Sequence, residues 1–244
     1  MNVLVVVPTY NEAGNLSNLA QHLFGLHIPA LELLVVDDNS PDGTAAAAEA
    51  LDKAYPGRVH VLRRPRKEGL GPAYVAGFRE ALRLQADVII QMDADLSHPP
   101  ECIPAMLESI KGCDVAVGSR YIPGGGVASE WGVARRFLSR GGDMYVRWVI
   151  GLHIQDTKSG FKAFQRRVLE QVPLEALRSK GYIFQAELMY RCQQMGFSVQ
   201  EVPYVFQERK SGGSKMSVNI VMEALWRSFQ VRLTRLRTNG KEKG

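Results

Sequence analysis

About the first 120 residues alternate apolar runs of strand length with segments of helical periodicity, and this alternation restricts the fold more than any other feature. The predicted strands are Val3–Val7, Glu32–Val36, Val59–Leu62, Asp87–Met92 and Asp114–Gly118. The predicted helices between them are Leu16–Leu26, Gly43–Tyr55, Gly71–Leu84 and Pro100–Lys111. Repeated β–α units build a sheet of parallel strands that helices cover on both faces. We therefore expect an α/β fold with a mainly parallel sheet.

Polar clusters follow four of the predicted strands. They are Pro8–Glu12, Asp37–Asp42, Asp93–Ser97 and Ser119–Arg120. The carboxyl ends of parallel strands lie at the same edge of a sheet, and open α/β sheets bind their ligands beyond that edge. The sequence therefore predicts one binding site that is built from these four clusters.

Asp93 and Asp95 form an acidic pair in the third cluster. Two carboxylates at positions i and i+2 of an extended segment point the same way, and they repel each other unless a cation or hydrogen-bond donors meet them. A Mg²⁺ ion that is shared with substrate phosphates would satisfy both. Turn formation and helix capping before Pro100 explain the same residues equally well. The spacing alone leaves both interpretations open.

The second cluster has the composition of a tight turn, with Pro41–Gly43 at its centre. Asp42 or Thr44 can cap the helix that follows, because their side-chain oxygens accept hydrogen bonds from exposed backbone N–H groups. One of the adjacent aspartates, Asp37 or Asp38, can accept hydrogen bonds from a base or a ribose. A purely structural turn explains most of the same pattern.

The net charge of +5 and the pI of about 9.1 suit an anionic partner such as a phosphate, a nucleic acid or an acidic membrane surface. The acidic strand ends argue against a nucleic-acid cleft. A dinucleotide-dependent oxidoreductase needs a glycine-rich turn after the first strand, where this chain has Pro8–Glu12. The three cysteines form no close pair, which favours free thiols in a reducing compartment.

The sequence shows no membrane span, and two amphipathic segments leave contact with a membrane surface open. We find no signal-peptide pattern and no run of about 18 uncharged apolar residues. Beyond the break at Pro123–Gly126, Phe137–Ile150 and Ser217–Arg237 combine apolar positions with arginines. Such helices can lie on an anionic membrane, although packing of the apolar stripe on the domain is more common. Phe184–Met195 predicts another helix and Val199–Phe206 another strand.

Seven motifs carry a resemblance to a known family. They are Pro8-Thr9-Tyr10-Asn11-Glu12, Val36-Asp37-Asp38-x-Ser40-x-Asp42-Gly43-Thr44, Met92-Asp93-Ala94-Asp95-Leu96-Ser97-His98-Pro99-Pro100, Gly118-Ser119-Arg120-Tyr121, Ser159-Gly160-Phe161, Gly181-Tyr182-x-Phe184-Gln185 and Arg209-x-x-Gly212-x-Ser214-Lys215. With them the sequence resembles the family 2 glycosyltransferases of the GT-A (Rossmann-like) fold, most closely those that transfer mannose to dolichol or polyprenol phosphate. The resemblance covers nearly the whole chain.

The resemblance implies a role for individual residues of these motifs. The residues that would hold the nucleoside are Pro8, Tyr10, Glu12, Val36 and Asp38. The residues that would line the rest of the sugar-nucleotide pocket are Asp93, Ala94, Asp95, Arg120, Arg209 and Lys215. Of these, Arg120, Arg209 and Lys215 would reach the phosphates and the donor sugar. The implied catalytic residues are Asp95, Arg209 and Lys215.

The resemblance also implies a divalent metal cofactor, Mg²⁺ or Mn²⁺, with Asp95 as its main ligand. Ser97 is a second candidate ligand, although it stands where some relatives carry a Gln and its hydroxyl has a shorter reach. Arg135 and Ser139 are the candidates for gripping the acceptor phosphate. The alternative for the arginines of this segment is a solvated basic helix face.

The implied reaction is an inverting transfer of mannose from GDP-mannose to dolichyl or polyprenyl phosphate, which gives a β-linked lipid-phosphate sugar. Transfer of glucose from UDP-glucose, or of another sugar, by the same fold stays open. Residues 1–216 would form the catalytic domain, and residues 217–244 a C-terminal amphipathic helix with a charged tail. We expect a cytoplasmic protein, peripheral on the cytoplasmic face of a membrane. A membrane-anchoring subunit is a candidate partner, and nucleic acid is not.

Overall fold

The computed structural model of the chain describes residues 1–128, 132–179, 181, 183–207 and 230, with the backbone alone for residues 133–138. These residues form nine strands and seven α-helices. The strands are β1 (Val3–Thr9), β2 (Leu31–Asp37), β3 (Val59–Arg63), β4 (Val88–Gln91), β5 (Val115–Ser119), β6 (Gly126–Val127), β7 (Lys162–Gln165), β8 (Val199–Pro203) and β9 (Val205–Phe206). The helices are α1 (Ala13–Gly25), α2 (Thr44–Ala54), α3 (Leu70–Arg83), α4 (Ile103–Ile110), α5 (Val133–Ile150), α6 (Arg166–Gln171) and α7 (Ile183–Gln194).

Seven strands form one mixed sheet in the order β3-β2-β1-β4-β7-β5-β8. Only β7 runs antiparallel to its neighbours β4 and β5 in this sheet. Strands β6 and β9 pair in a separate two-stranded parallel ribbon. The expected α/β architecture with a mainly parallel sheet is therefore confirmed.

Two hydrophobic cores lie on opposite faces of the sheet, because successive side chains of a strand point to opposite sides. On β1, Val3, Val5 and Val7 pack in one core and Leu4 and Val6 in the other. The first core takes buried side chains from α1 and α4, and the second takes them from α3 and α7. Strands buried on both faces explain the uninterrupted apolar runs in the sequence.

The sequence misses β7 and α6, and two other predictions need correction. The segment Pro100–Lys111 begins as a 3-10 turn at Pro100–Cys102 before α4. The single strand predicted at Val199–Phe206 is divided into β8 and β9, which belong to different sheets. The division lets the chain leave the large sheet and pair with β6, which follows the predicted glycine break.

Helix α5 contains the predicted amphipathic segment at residues 137–150, and its side chains are described from Ser139 onward. Val146, Val149 and Ile150 are buried, whereas Met144 and Trp148 are 69% and 79% exposed. No helix among the described residues is both long and apolar enough to cross a bilayer. Apart from residue 230, the predicted C-terminal helix at residues 217–237 and the charged tail lie outside the described residues.

Candidate active site

The carboxyl ends of β1, β2, β4 and β5 lie at one edge of the sheet, as the sequence predicts. Strands β2 and β3 lie in succession on one side of β1, and β4 lies on the other side of β1. In open α/β sheets, ligands bind where the strand order switches in this way. Thr9 pairs with Asp37, and Val6 pairs with Gln91 just before the acidic pair. The first three polar clusters therefore lie side by side at the switch.

The adjacent aspartates after β2 have different environments. Asp37 accepts hydrogen bonds from the Ser40 N–H at 3.1 Å and from the Ser40 and Thr9 hydroxyls at 2.5 and 3.2 Å. Asp38 instead accepts a hydrogen bond from the guanidinium of Arg64 and forms an ion pair with it. Burial raises the pKa of Asp38, and Arg64 opposes that shift. Asp37 therefore belongs to the turn, and Asp38 is part of a buried ion pair at the carboxyl end of β2.

The other predicted nucleoside residues border the same strand ends. Pro8 and Val36 are paired in register, but Val36 is fully buried in a core and its backbone lies between β1 and β3, so the structure does not expose it to a ligand. Tyr10 is 37% exposed, and the Nζ of Lys67 lies 3.6 Å from the centre of its ring. Glu12 stands just before α1. Pro8, Tyr10 and Glu12 thus lie at or just beyond the carboxyl end of β1, beside the end of β2 that Asp38 follows.

Asp42 joins two helix starts at this edge. Its Oδ1 accepts hydrogen bonds from the Thr44 N–H at 3.0 Å and from the Thr44 hydroxyl at 2.5 Å. Its Oδ2 accepts a hydrogen bond from the N–H of Ala13 at 3.1 Å. Asp42 precedes the N-cap residue Gly43 of α2, and its carboxylate accepts the first N–H group of both helices, which holds the amino ends of α1 and α2 together.

Asp95 is held by the residue two positions after it. Its Oδ1 accepts hydrogen bonds from the Ser97 N–H at 3.0 Å and the Ser97 hydroxyl at 2.6 Å. Leu96 between them has a φ of 59°, which bends the chain tightly enough for both contacts. The Ser97 side chain is fully buried. Its hydroxyl proton is thus committed to Asp95 and orients that carboxylate.

Asp93 lies against a buried aromatic cluster. Its backbone N–H donates to Nδ1 of His98 at 3.1 Å, and the Tyr74 hydroxyl lies 3.4 Å from its Oδ1. His98 stacks on Phe161 with ring centroids 5.3 Å apart. Burial lowers the pKa of His98, although Asp93 and Asp95 oppose the shift. A neutral imidazole here accepts the backbone hydrogen bond and fixes where Asp93 leaves β4.

The donor set fits a hard divalent cation that shares its coordination with phosphates. The carboxylate oxygens of Asp95 are ligands that Mg²⁺ and Mn²⁺ prefer, whereas the predicted second ligand Ser97 is fully buried and its hydroxyl donates to Asp95 instead. Among the described residues, no group of three or more His, Cys, Asp or Glu side chains is arranged to hold a metal.

Arg120 follows β5 and is gripped by Asp156. Its Nε and Nη2 donate to the two carboxylate oxygens of Asp156, both at 2.7 Å, and its backbone N–H donates to Oδ2 at 3.0 Å. The Asp156 side chain is fully buried, and 9% of the Arg120 side chain is exposed. Burial acts against the charge of Arg120, but Asp156 beside it holds the guanidinium pKa above its usual value. Arg120 therefore stays a cation near the strand ends.

Ser139 lies on α5, and its hydroxyl is 2.7 Å from the hydroxyl of Tyr121, the neighbour of Arg120. Nζ of Lys158 donates to the Ser139 carbonyl at 3.3 Å and lies 3.2 Å from Oδ2 of the buried Asp143. The hydroxyl contact thus places Ser139, a predicted acceptor-phosphate residue, beside the segment that follows β5. Arg135 is one helical turn before Ser139, and its side chain is not among those described.

The Glycosyl transferase family 2 sequence pattern matches residues 4–173, more than half of the chain. The chain belongs to glycosyltransferase family 2. The matched range contains every strand end described above.

Curated family 2 relatives are similar over most of the chain. Polyprenol monophosphomannose synthase of Mycolicibacterium smegmatis is 46% identical, covering 92% of this chain and 84% of the relative. Undecaprenyl-phosphate mannosyltransferase of Micrococcus luteus is 43% identical over 92% of this chain and 91% of its own length. Dolichol-phosphate mannosyltransferase of Pyrococcus furiosus is 40% identical over 92% and 62%.

A solved structure shows the same fold at low sequence identity. Glucosyl-3-phosphoglycerate synthase from Mycobacterium tuberculosis, in complex with Mn²⁺, UDP and glucosyl-3-phosphoglycerate, aligns with a TM-score of 0.66. The identity is 19%, and the alignment covers 96% of this chain and 79% of that chain. The likeness supports the GT-A assignment of this family 2 glycosyltransferase.

Several residues that shape the site escaped sequence reasoning. They are Arg64, Tyr74, Asp143, Asp156, Lys158 and Lys162. Each is a polar residue without a recognisable spacing to its partner, which is distant in sequence. The predicted catalytic residues Arg209 and Lys215 lie outside the described residues, so their roles stay predictions. The division into a catalytic domain at residues 1–216 and a C-terminal segment at residues 217–244 also stays a prediction.

Proposed function

We propose that this family 2 glycosyltransferase transfers mannose from GDP-mannose to a polyprenyl phosphate and inverts the anomeric centre. One observation carries the proposal. The acidic pair Asp93 and Asp95 stands at the strand switch of a chain similar to three proteins that are named for mannose transfer to polyprenol, undecaprenyl or dolichol phosphate. GDP as the sugar carrier and the inverted linkage are parts of the proposal.

On the donor side, the chain positions charge around a diphosphate leaving group. A bound Mg²⁺ or Mn²⁺ would stabilise the negative charge that develops on that group. Asp95 would hold the ion, because Ser97 already fixes the orientation of its carboxylate. Asp156 takes the Nε N–H and one Nη2 N–H of Arg120, so the N–H groups of Nη1 and the second N–H of Nη2 would meet a phosphate oxygen. Arg209 and Lys215 would add two further cations.

On the acceptor side, the chemistry needs positioning more than proton transfer. A phosphate monoester has a second pKa of about 6, so it is already largely dianionic at neutral pH and attacks without a catalytic base. Arg135 and Ser139 would grip this phosphate. The contact between Ser139 and Tyr121 would keep it next to Arg120, since Tyr121 and Arg120 are adjacent. In-line attack from this side displaces the diphosphate and inverts the anomeric carbon.

The lipid tail of the acceptor requires a membrane surface nearby. Met144 and Trp148 are exposed one turn apart on α5, with Arg140 and Arg147 exposed beside them. Exposed Trp next to arginines suits the interface of an anionic bilayer. We place the protein on the cytoplasmic face of a membrane, with α5 in contact with lipid. A membrane-anchoring subunit remains a candidate partner, and nucleic acid is not expected.

The test measures sugar transfer by the purified chain in detergent, with polyprenyl phosphate and Mg²⁺ or Mn²⁺. GDP-mannose and UDP-glucose are supplied in parallel as radiolabelled donors. We expect lipid-linked mannose from the intact protein and a loss of at least about 100-fold from Asp95→Ala, in line with removal of a charge-stabilising site. Asp52→Ala, on the exposed face of α2, is the matched acidic control and should retain full activity.

Each outcome separates one part of the proposal. Equal activity of Asp95→Ala and the intact protein would remove the metal assignment. Preference for UDP-glucose would replace the donor and leave the reaction type unchanged. Absence of transfer from either donor, with the chain folded and the metals present, would refute the proposed activity.

A further inference from the structure

Lys162 is a fully buried lysine at the active-site edge of the sheet. It is the first residue of β7, which runs antiparallel between β4 and β5 and pairs it with Gln91 and Val117. Because β7 is antiparallel, its beginning lies at the carboxyl ends of these two neighbours. The loop just before Lys162 therefore reaches the edge where Asp93 and Arg120 leave their strands.

The amine of Lys162 is bonded to neutral oxygens instead of a carboxylate. Nζ donates to the carbonyl of Ser159 and, at 2.7 Å, to Oε1 of Gln185 on α7. The same Oε1 accepts a hydrogen bond from Nε2 of Gln91 at 2.7 Å. Both glutamine side chains are at most 1% exposed. We call Lys162, Gln185 and Gln91 the buried amide cluster.

The polar groups of the buried amide cluster lower the stability of the sheet core. Burial lowers the pKa of Lys162 from 10.5 to about 7, although Asp156 and Asp93 oppose the shift. Oε1 of Gln91 and Nε2 of Gln185 have no hydrogen-bond partner among the described residues. Apolar side chains of similar volume would avoid these unpaired groups and the buried amine. The cluster therefore contributes something other than core stability.

Gly160 connects the cluster to the sugar-nucleotide pocket. A Cβ atom on Gly160 would lie 3.1 Å from Cε1 of His98, 3.6 Å from Oδ1 of Asp93 and 3.8 Å from Nε2 of Gln185. The backbone at Gly160 thus fits closely among these side chains. Its neighbour Ser159 is the residue whose carbonyl Lys162 holds.

We propose that Lys162 is a positioning residue of the donor pocket, which acts through Ser159 and Gln185 to hold Gly160 against Asp93 and His98. It touches neither substrate nor metal. Its effect on catalysis comes from fixing the backbone against which the Asp93 carboxylate rests. The inference depends on the proposed function, because Asp93 is assigned to the sugar-nucleotide pocket by that proposal.

The main test is Lys162→Met in the full chain, with mannosyl transfer and GDP binding measured separately. Methionine has a similar length and cannot donate a hydrogen bond. We expect kcat to fall at least about tenfold, with the KM for GDP-mannose and the Kd for GDP changed less than about threefold, because small misplacement of reacting groups affects the chemical step. Phe164→Leu is the matched control, since Phe164 is equally buried and lies two residues further along β7, on the same face. It should lower Tm while kcat stays within about twofold.

Two further variants address coupling and folding. Gln185→Leu combined with Lys162→Met should reduce kcat no more than the more damaging single change, because both break one hydrogen-bonded chain. Gly160→Ala leaves Lys162 and its hydrogen-bond partners unchanged and inserts a methyl group beside His98 and Asp93, so it should reproduce the kcat loss even if Lys162→Met fails to fold.

The results distinguish this proposal from the function on which it rests. An intact protein without mannosyl transfer would refute the proposed function. An active intact protein, with kcat within twofold for Gly160→Ala or for folded Lys162→Met, would refute the positioning role. Losses in kcat that multiply in the double variant would also refute it, and so would an equal kcat loss in Phe164→Leu.

Discussion

Asp156→Asn tests whether the buried ion pair with Arg120 holds the end of β5 in place. The substitution keeps the size of the side chain and removes its charge. Arg120 then keeps a positive charge in a site that is 9% exposed, with one neutral oxygen in place of two carboxylate oxygens at 2.7 Å. Its backbone N–H also loses a charged acceptor.

The expected loss of stability follows from this geometry. Removal of one partner of a buried ion pair costs about 3–5 kcal/mol, mostly because the other charge is left uncompensated. Asparagine retains one acceptor, so we expect the lower end, about 3 kcal/mol of unfolding free energy. For a chain of this length each kcal/mol shifts Tm by about 2–4 °C, which predicts a decrease of roughly 6–12 °C.

Urea unfolding followed by circular dichroism measures this loss, with Tm from a thermal scan as a second readout. Glu175→Gln is the control, because Glu175 forms an exposed ion pair with Arg79 and its removal should leave the midpoint unchanged. The double variant Arg120→Met with Asp156→Leu should recover most of the stability without recovering activity. A loss below about 1 kcal/mol for Asp156→Asn would refute the reasoning, since a buried charge would then have been uncovered at almost no cost.

Three other predictions concern separate parts of the molecule. Ser97→Ala should raise the Mn²⁺ concentration needed for half-maximal transfer about tenfold or more, because Asp95 loses the hydroxyl that orients it; an unchanged metal titration would contradict this role. Trp148→Ser should weaken co-sedimentation with anionic vesicles about tenfold, with unchanged transfer to a detergent-solubilised acceptor; equal sedimentation would place the membrane contact elsewhere. Asp42→Ala should cost about 1 kcal/mol in urea unfolding at neutral pH. Partial burial raises the pKa of Asp42, but hydrogen bonds from Thr44 and the backbone hold this pKa below 3.8. The stability that the Asp42 carboxylate contributes is therefore complete above pH 3.8 and is lost as the pH falls further. A variant whose deficit persists at low pH would contradict the assignment.

The sequence alone predicts the parallel part of the sheet and the edge that carries the site. Each of four apolar strands is followed directly by a polar cluster, and this pattern can be recognised from short stretches of sequence. The spacing left Asp37 and Asp38 indistinguishable, whereas the structure separates them by their partners Ser40 and Arg64. That difference depends on a contact between the residue after β2, Asp38, and the residue after β3, Arg64, which no local pattern encodes.

Strand β7 shows why the remainder was missed. It has four residues, begins with a charged side chain and ends with Gln165, so it lacks the apolar run that marks a buried strand. Its burial depends on Gln91 and Gln185, which are hydrogen-bonded around Lys162 from distant parts of the chain. Asp156 was missed for the same reason, because its importance arises only when Arg120 is next to it.

The place of β7 in the sheet has a consequence for how the enzyme is made. During synthesis, β4 and β5 emerge well before residues 162–165, yet the two strands are not hydrogen-bonded to each other in the finished sheet. Each therefore presents a bare edge until the chain has passed through α5 and returned to fill the gap. The edge of the sheet that carries the candidate site is therefore completed late in translation. In a ribosome-bound fragment that ends at residue 150, we expect proteases to cleave the chain between β4 and β5.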